Sequence, residues 1–453
     1  MTKRDLVSID DLSNQEILAL FEHADRFDQD LKAWADQCPG TILATLFFEP
    51  STRTRLSFES AMLRLGGGVI SATQGKDTSA SKGESLADTA RVVGGRYADL
   101  IVLRHSDEGA ARVVAQFAEV PVINAGDGAH EHPTQTLCDL YTLWKEKGRL
   151  HDLEVVLCGD LKYSRTVHSF AFALARFGAK LVFVPFPGME IPKHVLDRLQ
   201  RKWKVRVDRG SLEDFRELAP GRDVVYVTPA KPHQQSLFTD STPFEGADEI
   251  ARELEEGPKR IDAIYMTRSQ RERHGDELSE PGELPSLKPE HLKKAKFKDT
   301  SVMHPLPRVS ELSYELDRDP RAKYFRQAAL GVSIRMALIA FLLGKLDLGG
   351  AAPPPPPPEI YRSSEGLRCA NPACVSNREG RRYLRPEFFL VEQRPPLLRC
   401  VFCSWEKTPL IVGHLESKKL HPANGAEAAR IHLKNRVYFE SMEEARKAGF
   451  GEV

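Results

Sequence analysis

The sequence predicts an α/β protein with two doubly wound parallel-sheet domains and a small four-cysteine domain at its C-terminal end. Short apolar strand segments alternate with helical segments up to about residue 345. This alternation is typical of parallel sheets joined by right-handed helical crossovers. A proline run at 353–358 then ends the pattern, and four clustered cysteines follow it.

The predicted domain boundaries follow these changes of pattern. The first α/β domain takes residues 1–148 and is completed by an apolar helix at 327–346, which returns to pack on it. The second takes residues 149–326. Residues 347–359 form a proline-rich linker, in a polyproline conformation that extends by on the order of 3 Å per residue. Residues 360–453 form the four-cysteine domain.

In the first domain, Ser13 and Glu16 form a capping box that starts a helix at 13–27. The other predicted elements, in order, are a strand at 42–48, a helix at 51–65 ended by three glycines, a polar loop at 73–84, a helix at 85–97, a strand at 99–103, a helix at 110–117, a strand at 120–124 and a helix from Pro133.

The second domain repeats the alternation. Its predicted elements are strands at 153–157, 180–184, 223–228 and 262–267, a helix that follows Gly159-Asp160 and runs through Phe170 to Phe177, and helices at 190–203 and 211–218 with a short strand between them. Parallel sheets bind ligands at the carboxyl ends of their strands. Across both domains the residues that follow a predicted strand are Arg104, Asn124, Asp160, Arg268 and His304. We therefore expect the functional site at these strand ends.

Composition is that of an ordinary soluble protein. Of 453 residues 41% are hydrophobic and 28% charged, and Lys+Arg and Asp+Glu both number 64. A neutral balance of this kind indicates no nucleic-acid or acidic-membrane partner. No N-terminal stretch has the pattern of a signal peptide, and the apolar run at 334–343 is too short to span a bilayer. We expect a cytoplasmic protein.

The stretch FFEPSTRTR at 47–55 predicts an anion site. It is the end of a strand, a proline turn and the first turn of a helix, where free backbone N–H groups and the helix dipole favour negative charge. The side chains placed there are Ser51, Thr52, Arg53 and Thr54. The alternative is an ordinary capped helix with exposed arginines.

The clustered cysteines are spaced Cys-x4-Cys-x25-Cys-x2-Cys, at Cys369, Cys374, Cys400 and Cys403. Two close pairs separated by a longer segment predict a closed, structural zinc site with four thiolate ligands. The other cysteines, Cys38, Cys138 and Cys158, are scattered and are predicted to be inert buried thiols.

Seven motifs in order resemble those of the aspartate carbamoyltransferase family, and they span residues 1 to about 345. They are FFEPSTRTR (47–55), SASKGE (79–84), LRH (103–105), HPTQ (132–135), GDLKYSRTVH (159–168), YMTRSQ (265–270) and HPLPR (304–308). The resemblance implies the carbamoyltransferase fold and transfer of a carbamoyl group from carbamoyl phosphate to L-aspartate, giving N-carbamoyl-L-aspartate and phosphate in pyrimidine (UMP) synthesis.

The resemblance also implies site roles, and it implies that no metal or other cofactor takes part in catalysis. The expected carbamoyl-phosphate residues are Ser51, Thr52, Arg53, Thr54, Arg104, His132, Gln135, Leu306 and Pro307, and the expected aspartate-binding residues are Lys82, Arg165, Arg268 and Gln270. Those expected to act in catalysis are Arg53, Thr54, Lys82, Arg104 and His132. In the family the loop that carries Ser79 and Lys82 enters the neighbouring subunit's site, which implies a homotrimer or a multiple of trimers.

The four-cysteine domain resembles the zinc domain of the family's regulatory chain, here fused to the catalytic part. A dihydroorotase or regulatory-chain partner is compatible with this arrangement. Two other functions stay open. One is an ornithine or other amino-acid carbamoyltransferase, against which Pro305 and Arg268 argue. The other is an inactive paralogue that acts as a scaffold and binds partners through the zinc domain.

Overall fold

The structure is a computed structural model. It describes residues 3–73, 83–185, 189–205, 207–209, 222–228, 260–268, 287–309, 311–356, 360–362, 367–379 and 383–452. The predicted helix at 211–218, most of the polar loop at 73–84, and the side chains of Ser79, Lys82 and Gln270 lie outside these residues.

The first domain contains a parallel sheet of four strands in the order β2-β1-β3-β4. Its strands are β1 (Ile42–Phe47), β2 (Gly68–Thr73), β3 (Leu100–His105) and β4 (Val122–Asp127). Its helices are α1 (Asn14–Gln29), α2 (Thr52–Arg64), α3 (Leu86–Val92), α4 (Ala110–Phe117) and α5 (Pro133–Lys147). The predicted capping box is present, since the Ser13 hydroxyl accepts from Glu16 N at 3.1 Å and Glu16 Oε2 accepts from Ser13 N at 2.9 Å.

Strand β2 is absent from the sequence prediction. Its residues are half-buried or exposed, and no run of buried apolar side chains marks them. The strand exists because its backbone pairs in parallel with β1, from Ile42 opposite Gly68 to Phe47 opposite Thr73. An edge strand of this kind depends on a partner that local sequence does not show.

The second domain contains a six-stranded parallel sheet in the order β10-β9-β8-β5-β6-β7. Its elements are β5 (Glu154–Gly159), α6 (Arg165–Arg176), β6 (Lys180–Pro185), α7 (Lys193–Trp203), β7 (Val207–Arg209), β8 (Arg222–Thr228), β9 (Ile261–Met266) and β10 (Ser301–Met303). The two near-identical strands β8 and β9 are neighbours, and their Tyr226 and Tyr265 rings stack with centroids 4.4 Å apart. The two parallel sheets confirm the predicted fold class.

Helix α8 (Tyr324–Leu342) corresponds to the helix predicted at 327–346, but it begins and ends a few residues earlier in the sequence. Its apolar residues share one core with those of α1, α2 and α5. Ser333 donates to Asp28 of α1 at 3.2 Å. The helix is long and apolar enough to cross a membrane, but 67% of its most apolar window is buried inside the protein, as in the core helix of a globular domain.

The C-terminal domain contains two small sheets, ordered β11-β12-β13-β14 and β17-β15-β16-β18. Its elements are β11 (Ile360–Arg362), α9 (Val375–Arg378), β12 (Glu387–Gln393), β13 (Pro396–Cys400), β14 (Glu406–Lys407), β15 (Ile411–His414), β16 (Lys419–Pro422), α10 (Ala426–Arg430), β17 (Arg436–Phe439), α11 (Met442–Lys447) and β18 (Gly451–Glu452). The Ser441 hydroxyl accepts from Glu444 N at 3.1 Å and caps α11.

The C-terminal domain contacts the first domain beside α3 and α4. Cys374 pairs through its backbone with Glu108, and Arg378 Nη1 lies 2.9 Å from Asp107 Oδ1. Phe117 and Tyr383 pack edge to face, with ring centroids 6.0 Å apart. Apolar residues of both domains form one core cluster.

The same domain also contacts the second domain, at α7. The Trp405 and His194 rings lie 4.4 Å apart at their centroids. Arg201 ion-pairs with Glu406 and with Glu392, the latter at 3.2 Å. The C-terminal domain therefore bridges the two parallel-sheet domains of its own chain.

Candidate active site

The predicted phosphate site lies at the N-terminus of α2. Ser51 is the N-cap residue in extended conformation, yet its hydroxyl makes no capping hydrogen bond. The first backbone bond of the helix runs from Arg55 N to Ser51 O at 3.3 Å. The preceding N–H groups, of residues 52–54, have no place in the helical pattern and can bind an anion. The alternative, an ordinary capped helix, does not explain why the Ser51 hydroxyl makes no capping hydrogen bond.

Glu49, two residues before the cap, joins two of the predicted arginines. Arg104 Nη2 donates to Glu49 Oε1 at 2.7 Å. Arg165 Nη1 and Nη2 each lie 3.5 Å from a Glu49 carboxylate oxygen, and Nη1 also donates to the Gly128 carbonyl at 2.7 Å. Arg104 comes from the first sheet and Arg165 from α6 of the second domain. One carboxylate thus connects both halves of the site.

The arginines form a concentrated positive region. Burial, and next the charge of Arg165, lower the pKa of Arg104 to about 10. Burial lowers the pKa of Arg53, and the charge of Arg268 lowers it further. Placing these like charges close together costs free energy, and a bound anion would lower that cost. Gly126, at φ +115°, leaves the necessary space, because a Cβ there would lie 3.1 Å from Arg104 Nη1.

His132 is the N-cap residue of α5 and is 5% exposed. Its Nδ1 accepts from the backbone N–H of Gln135 at 3.3 Å. A neutral imidazole that accepts at Nδ1 carries its proton on Nε2. The backbone therefore selects the tautomer that donates from Nε2, which is what a carbonyl oxygen requires.

Gln135 lies one turn into α5, half-buried, and its Nε2 donates to Asp139 Oδ1 at 2.8 Å. Asp139 is 1% exposed. Burial raises the pKa of Asp139 to about 7, against hydrogen bonds from neighbouring side chains that lower it. This carboxyl group is absent from the sequence prediction.

The loop after β10 carries Leu306 and Pro307, joined by a cis peptide bond. His304 stabilises this loop, because its Nδ1 accepts a hydrogen bond from Leu306 N at 2.8 Å. Its Nε2 lies 2.7 Å from Glu311 Oε1, and both side chains are fully buried. Burial lowers the pKa of His304, so the ring is neutral and donates from Nε2 to Glu311.

A cavity of about 1050 Å³ opens from the arginine region. Of the predicted site residues, Arg104 and Arg268 line it, together with Glu49. It continues past Lys162 and His194 of the second domain to Trp405 of the C-terminal domain. The C-terminal domain thus supplies one wall of the space beside the site.

The four cysteines of the C-terminal domain come together as predicted. Their sulfur atoms all lie within 4.8 Å of one another, and all four side chains are buried. Two of the separations are 3.4 Å, between Cys369 and Cys403, and 3.8 Å, between Cys374 and Cys400. Four thiolates at about 2.3 Å from a tetrahedral metal lie roughly 3.8 Å apart, so the cluster fits a metal ion.

The residues that sequence reasoning missed are buried partners of predicted ones. Glu49 stands inside the predicted stretch at 47–55, and its position between a strand and an arginine-rich helix start was a usable signal. Asp139 follows Gln135 at the helical spacing of i, i+4. Glu311 is seven residues from its partner His304, in irregular backbone, and no periodicity marks it.

Comparison with known proteins defines the class. Residues 4–145 match the family profile "Aspartate/ornithine carbamoyltransferase, carbamoyl-P binding domain", and residues 221–342 match its "Asp/Orn binding domain". Residues 360–408 match "Aspartate carbamoyltransferase regulatory chain, metal binding domain". The chain therefore combines the two domains of a carbamoyltransferase with a metal-binding domain.

Similar proteins narrow the class further. The aspartate carbamoyltransferase catalytic subunit of Thermococcus kodakarensis is 46% identical over 350 residues, 76% of this chain and 98% of the relative. That of Methanopyrus kandleri is 43% identical over 345 residues, 75% of this chain and 97% of the relative. The chain belongs to the aspartate carbamoyltransferase family.

Solved structures agree with this assignment. The catalytic subunit of M. jannaschii aspartate transcarbamoylase is 38% identical, with a TM-score of 0.57, over 75% of this chain and 98% of that one. The Trypanosoma cruzi enzyme in complex with N-(phosphonacetyl)-L-aspartic acid is 32% identical, also with a TM-score of 0.57, over 75% and 94%.

Proposed function

We propose that the chain transfers the carbamoyl group of carbamoyl phosphate to the amine of L-aspartate, yielding N-carbamoyl-L-aspartate and phosphate for pyrimidine synthesis. The observation that carries the proposal is the meeting of the α2 N-terminus with arginines from two domains. Both substrates are anions, and the leaving phosphate gains charge as the bond to it breaks. The site offers fixed positive charge where this chemistry requires it.

The α2 terminus is the proposed phosphate end. Backbone N–H groups of 52–54 and the unused Ser51 hydroxyl bind oxygen atoms, while Arg53 neutralises charge. Arg104 donates to Glu49, two residues before the α2 cap. In the proposal its guanidinium binds the oxygen that links phosphate and carbonyl. Such fixed donors stabilise the departing phosphate without rearranging.

The carbamoyl group is held between α5 and the loop after β10. His132 Nε2–H donates to the carbonyl oxygen, which becomes more negative as the aspartate amine attacks. The carbamoyl NH2 needs acceptors, and Gln135 and the carbonyls of Leu306 and Pro307 provide them. Positioning of this kind lowers the barrier by fixing the reacting atoms within reach of each other.

The aspartate end is built from the second domain. Arg165 and Arg268 offer planar guanidinium groups that suit carboxylates, since each can donate two parallel hydrogen bonds to one. Lys82 and Gln270 complete this end in the proposal, with Ser79 and Lys82 contributed by a neighbouring subunit of a homotrimer. No covalent intermediate is needed, because carbamoyl phosphate is already activated.

The metal of the C-terminal domain is proposed to be zinc, held by Cys369, Cys374, Cys400 and Cys403 in a structural role. Four buried thiolates at tetrahedral spacing favour zinc in a reducing compartment. A cytoplasmic location is part of the same proposal. The ion supplies folding free energy to a small domain and takes no part in the transfer.

The test combines a variant with a substrate panel. Arg53→Ala leaves the phosphate charge without its guanidinium, so kcat/KM should fall by about 100-fold or more. Arg64→Ala, at the other end of the same helix, is the control and should behave as wild type. Preference of the wild type for ornithine over aspartate, or full activity of Arg53→Ala, would refute the proposal.

A further inference from the structure

Asp139 hydrogen-bonds to Gln135, the residue that binds the carbamoyl NH2 group in the proposed reaction. Its Oδ1 accepts from Gln135 Nε2 at 2.8 Å, and the side chain is 1% exposed. An ionised carboxylate only accepts, so the NH2 end of the Gln135 amide must face it. The carbonyl end, Oε1, is then the end available to a ligand in the cleft.

The same carboxylate oxygen has a second donor. Gln327 Nε2 of α8 donates to Asp139 Oδ1 at 2.9 Å, and Gln327 Oε1 accepts from His304 N at 2.9 Å. Gln327 is 2% exposed and His304 1% exposed. Since His304 Nδ1 also accepts from Leu306 N, a continuous hydrogen-bond path runs from Gln135 through the buried Asp139, Gln327 and His304 to the loop after β10.

We propose that Asp139 is a positioning residue for the carbamoyl group, which fixes Gln135 with its carbonyl oxygen toward the carbamoyl NH2 and keeps it in register with Leu306. This rests on the proposed carbamoyl transfer. A carbamoyl NH2 has two hydrogens and needs two acceptors. Gln135 turned the other way would present a donor to a donor, and the buried mismatch would weaken binding.

The ionisation of Asp139 makes the proposal measurable. Burial raises the pKa of Asp139 to about 7. Protonated Asp139 can donate to Gln135 Oε1, which permits the reversed amide, so activity should fall as pH drops below about 7. The titratable or charged groups that interact with it from the elements packed around it are Tyr226, Tyr265 and Arg335. Burial raises the pKa of both tyrosines, so they stay neutral throughout this range.

The experiment uses the full chain with Asp139→Asn and the exchanged pair Gln135→Glu with Asp139→Asn. The single variant should lower kcat/KM for carbamoyl phosphate by about 10- to 100-fold and remove the acid limb near pH 7, with a smaller effect on KM for aspartate. In the exchanged pair the new amide at 139 donates to the new carboxylate at 135, whose second oxygen still accepts. Activity should recover several-fold over the single variant.

The results of these measurements either support or overturn the positioning role of Asp139. Asp139→Asn with wild-type kcat/KM and an unchanged pH profile would overturn the positioning role, and so would a lowered melting temperature with kinetics intact. Failure of the exchanged pair to exceed the single variant would contradict the amide-orientation argument. A wild-type chain that does not use aspartate and carbamoyl phosphate would overturn the proposed function itself, which separates the two failures.

Discussion

Arg201 of the second catalytic domain forms an ion pair with Glu406 of the C-terminal domain, across an interface within one chain. The Glu406 side chain is 4% exposed, whereas Arg201 is 29% exposed. Arg399 Nε, 3.6 Å away, is a second cation beside Glu406. A buried carboxylate depends on such cations, because it has lost its water. The C-terminal domain is therefore held by charge as well as by its apolar contacts.

Arg201→Ala should loosen the C-terminal domain from α7. Removing one partner of a buried pair costs about 3–5 kcal/mol at most, and the remaining cation Arg399 reduces that cost. The expected result is a lower unfolding temperature and faster proteolysis within residues 360–453. Thermal melting and limited proteolysis measure both effects.

The matched control is Arg430→Ala. Arg430 pairs with Glu427 at 2.7 Å in the same domain, but their side chains are 75% and 60% exposed. Exposed pairs contribute about 0–1 kcal/mol, so this variant should melt close to wild type. Equal changes in melting temperature for the two variants would show that the interdomain ion pair contributes no more to stability than the exposed pair.

Metal removal should unfold the C-terminal domain before the rest of the chain. Cys400 N of the cysteine cluster donates to the Trp405 carbonyl at 2.8 Å, and the Trp405 ring packs on His194 of α7. A chelator should therefore shift the fluorescence of Trp405 as it becomes exposed to water, with Trp405→Phe as the control that removes the signal. Metal analysis should give about one ion per chain from four thiolates. Chelated protein with an unchanged Trp405 signal would contradict a structural metal.

The fold was predictable where pattern is local. Alternating apolar segments predicted both parallel sheets, and the Ser13 capping box placed the start of α1 at the correct residue. Strand β2 was missed because its stability comes from pairing with β1 rather than from its own residues. The docking of the C-terminal domain on α7 was also unpredictable, since residues such as Arg201 and Glu406 are far apart in sequence and look like ordinary surface charges.

The site was predictable by residue type and only partly by contact. Hydroxyls, arginines and a histidine at strand ends indicated anion chemistry, and Arg104 and Arg165 do meet. Their shared partner Glu49 was missed because a carboxylate repels anions and is not expected in an anion-binding site. Its role follows only from its contacts with both arginines. The roles of individual site residues remain predictions for mutagenesis.

Stability should fall as pH rises from about 6.5 to 9, in part through His130. Burial alone would lower the pKa of His130, but Asp127, at 2.9 Å, raises it to about 9. The folded chain therefore binds a proton more tightly than the unfolded chain, whose histidines titrate near 6.5. The stabilisation is complete below pH 6.5 and is lost as pH passes 9, by about 1–3 kcal/mol.

Thermal melting across this pH range measures the effect. His130→Gln keeps a donor for Asp127 without the titration, so its melting temperature should change less between pH 6.5 and 9 than that of wild type. The neighbouring carboxylates of Glu108 and Glu131 also contribute to the raised pKa of His130. Identical pH dependence in wild type and variant would exclude His130 as the source.

Glu49→Gln should disconnect the two halves of the active site. The carboxylate joins Arg104 of the first domain to Arg165 of the second, and a neutral amide oxygen accepts only weakly from either guanidinium. Without it the two like charges repel each other, and the arrangement that brings arginines of both domains to one site is less favourable. We expect kcat/KM for aspartate to fall about 10- to 100-fold, with a smaller change in the binding of carbamoyl phosphate, because the α2 terminus is intact. Steady-state kinetics and equilibrium binding of carbamoyl phosphate separate these effects. A variant that loses carbamoyl phosphate binding but retains its KM for aspartate would place Glu49 in the phosphate site instead of between the domains.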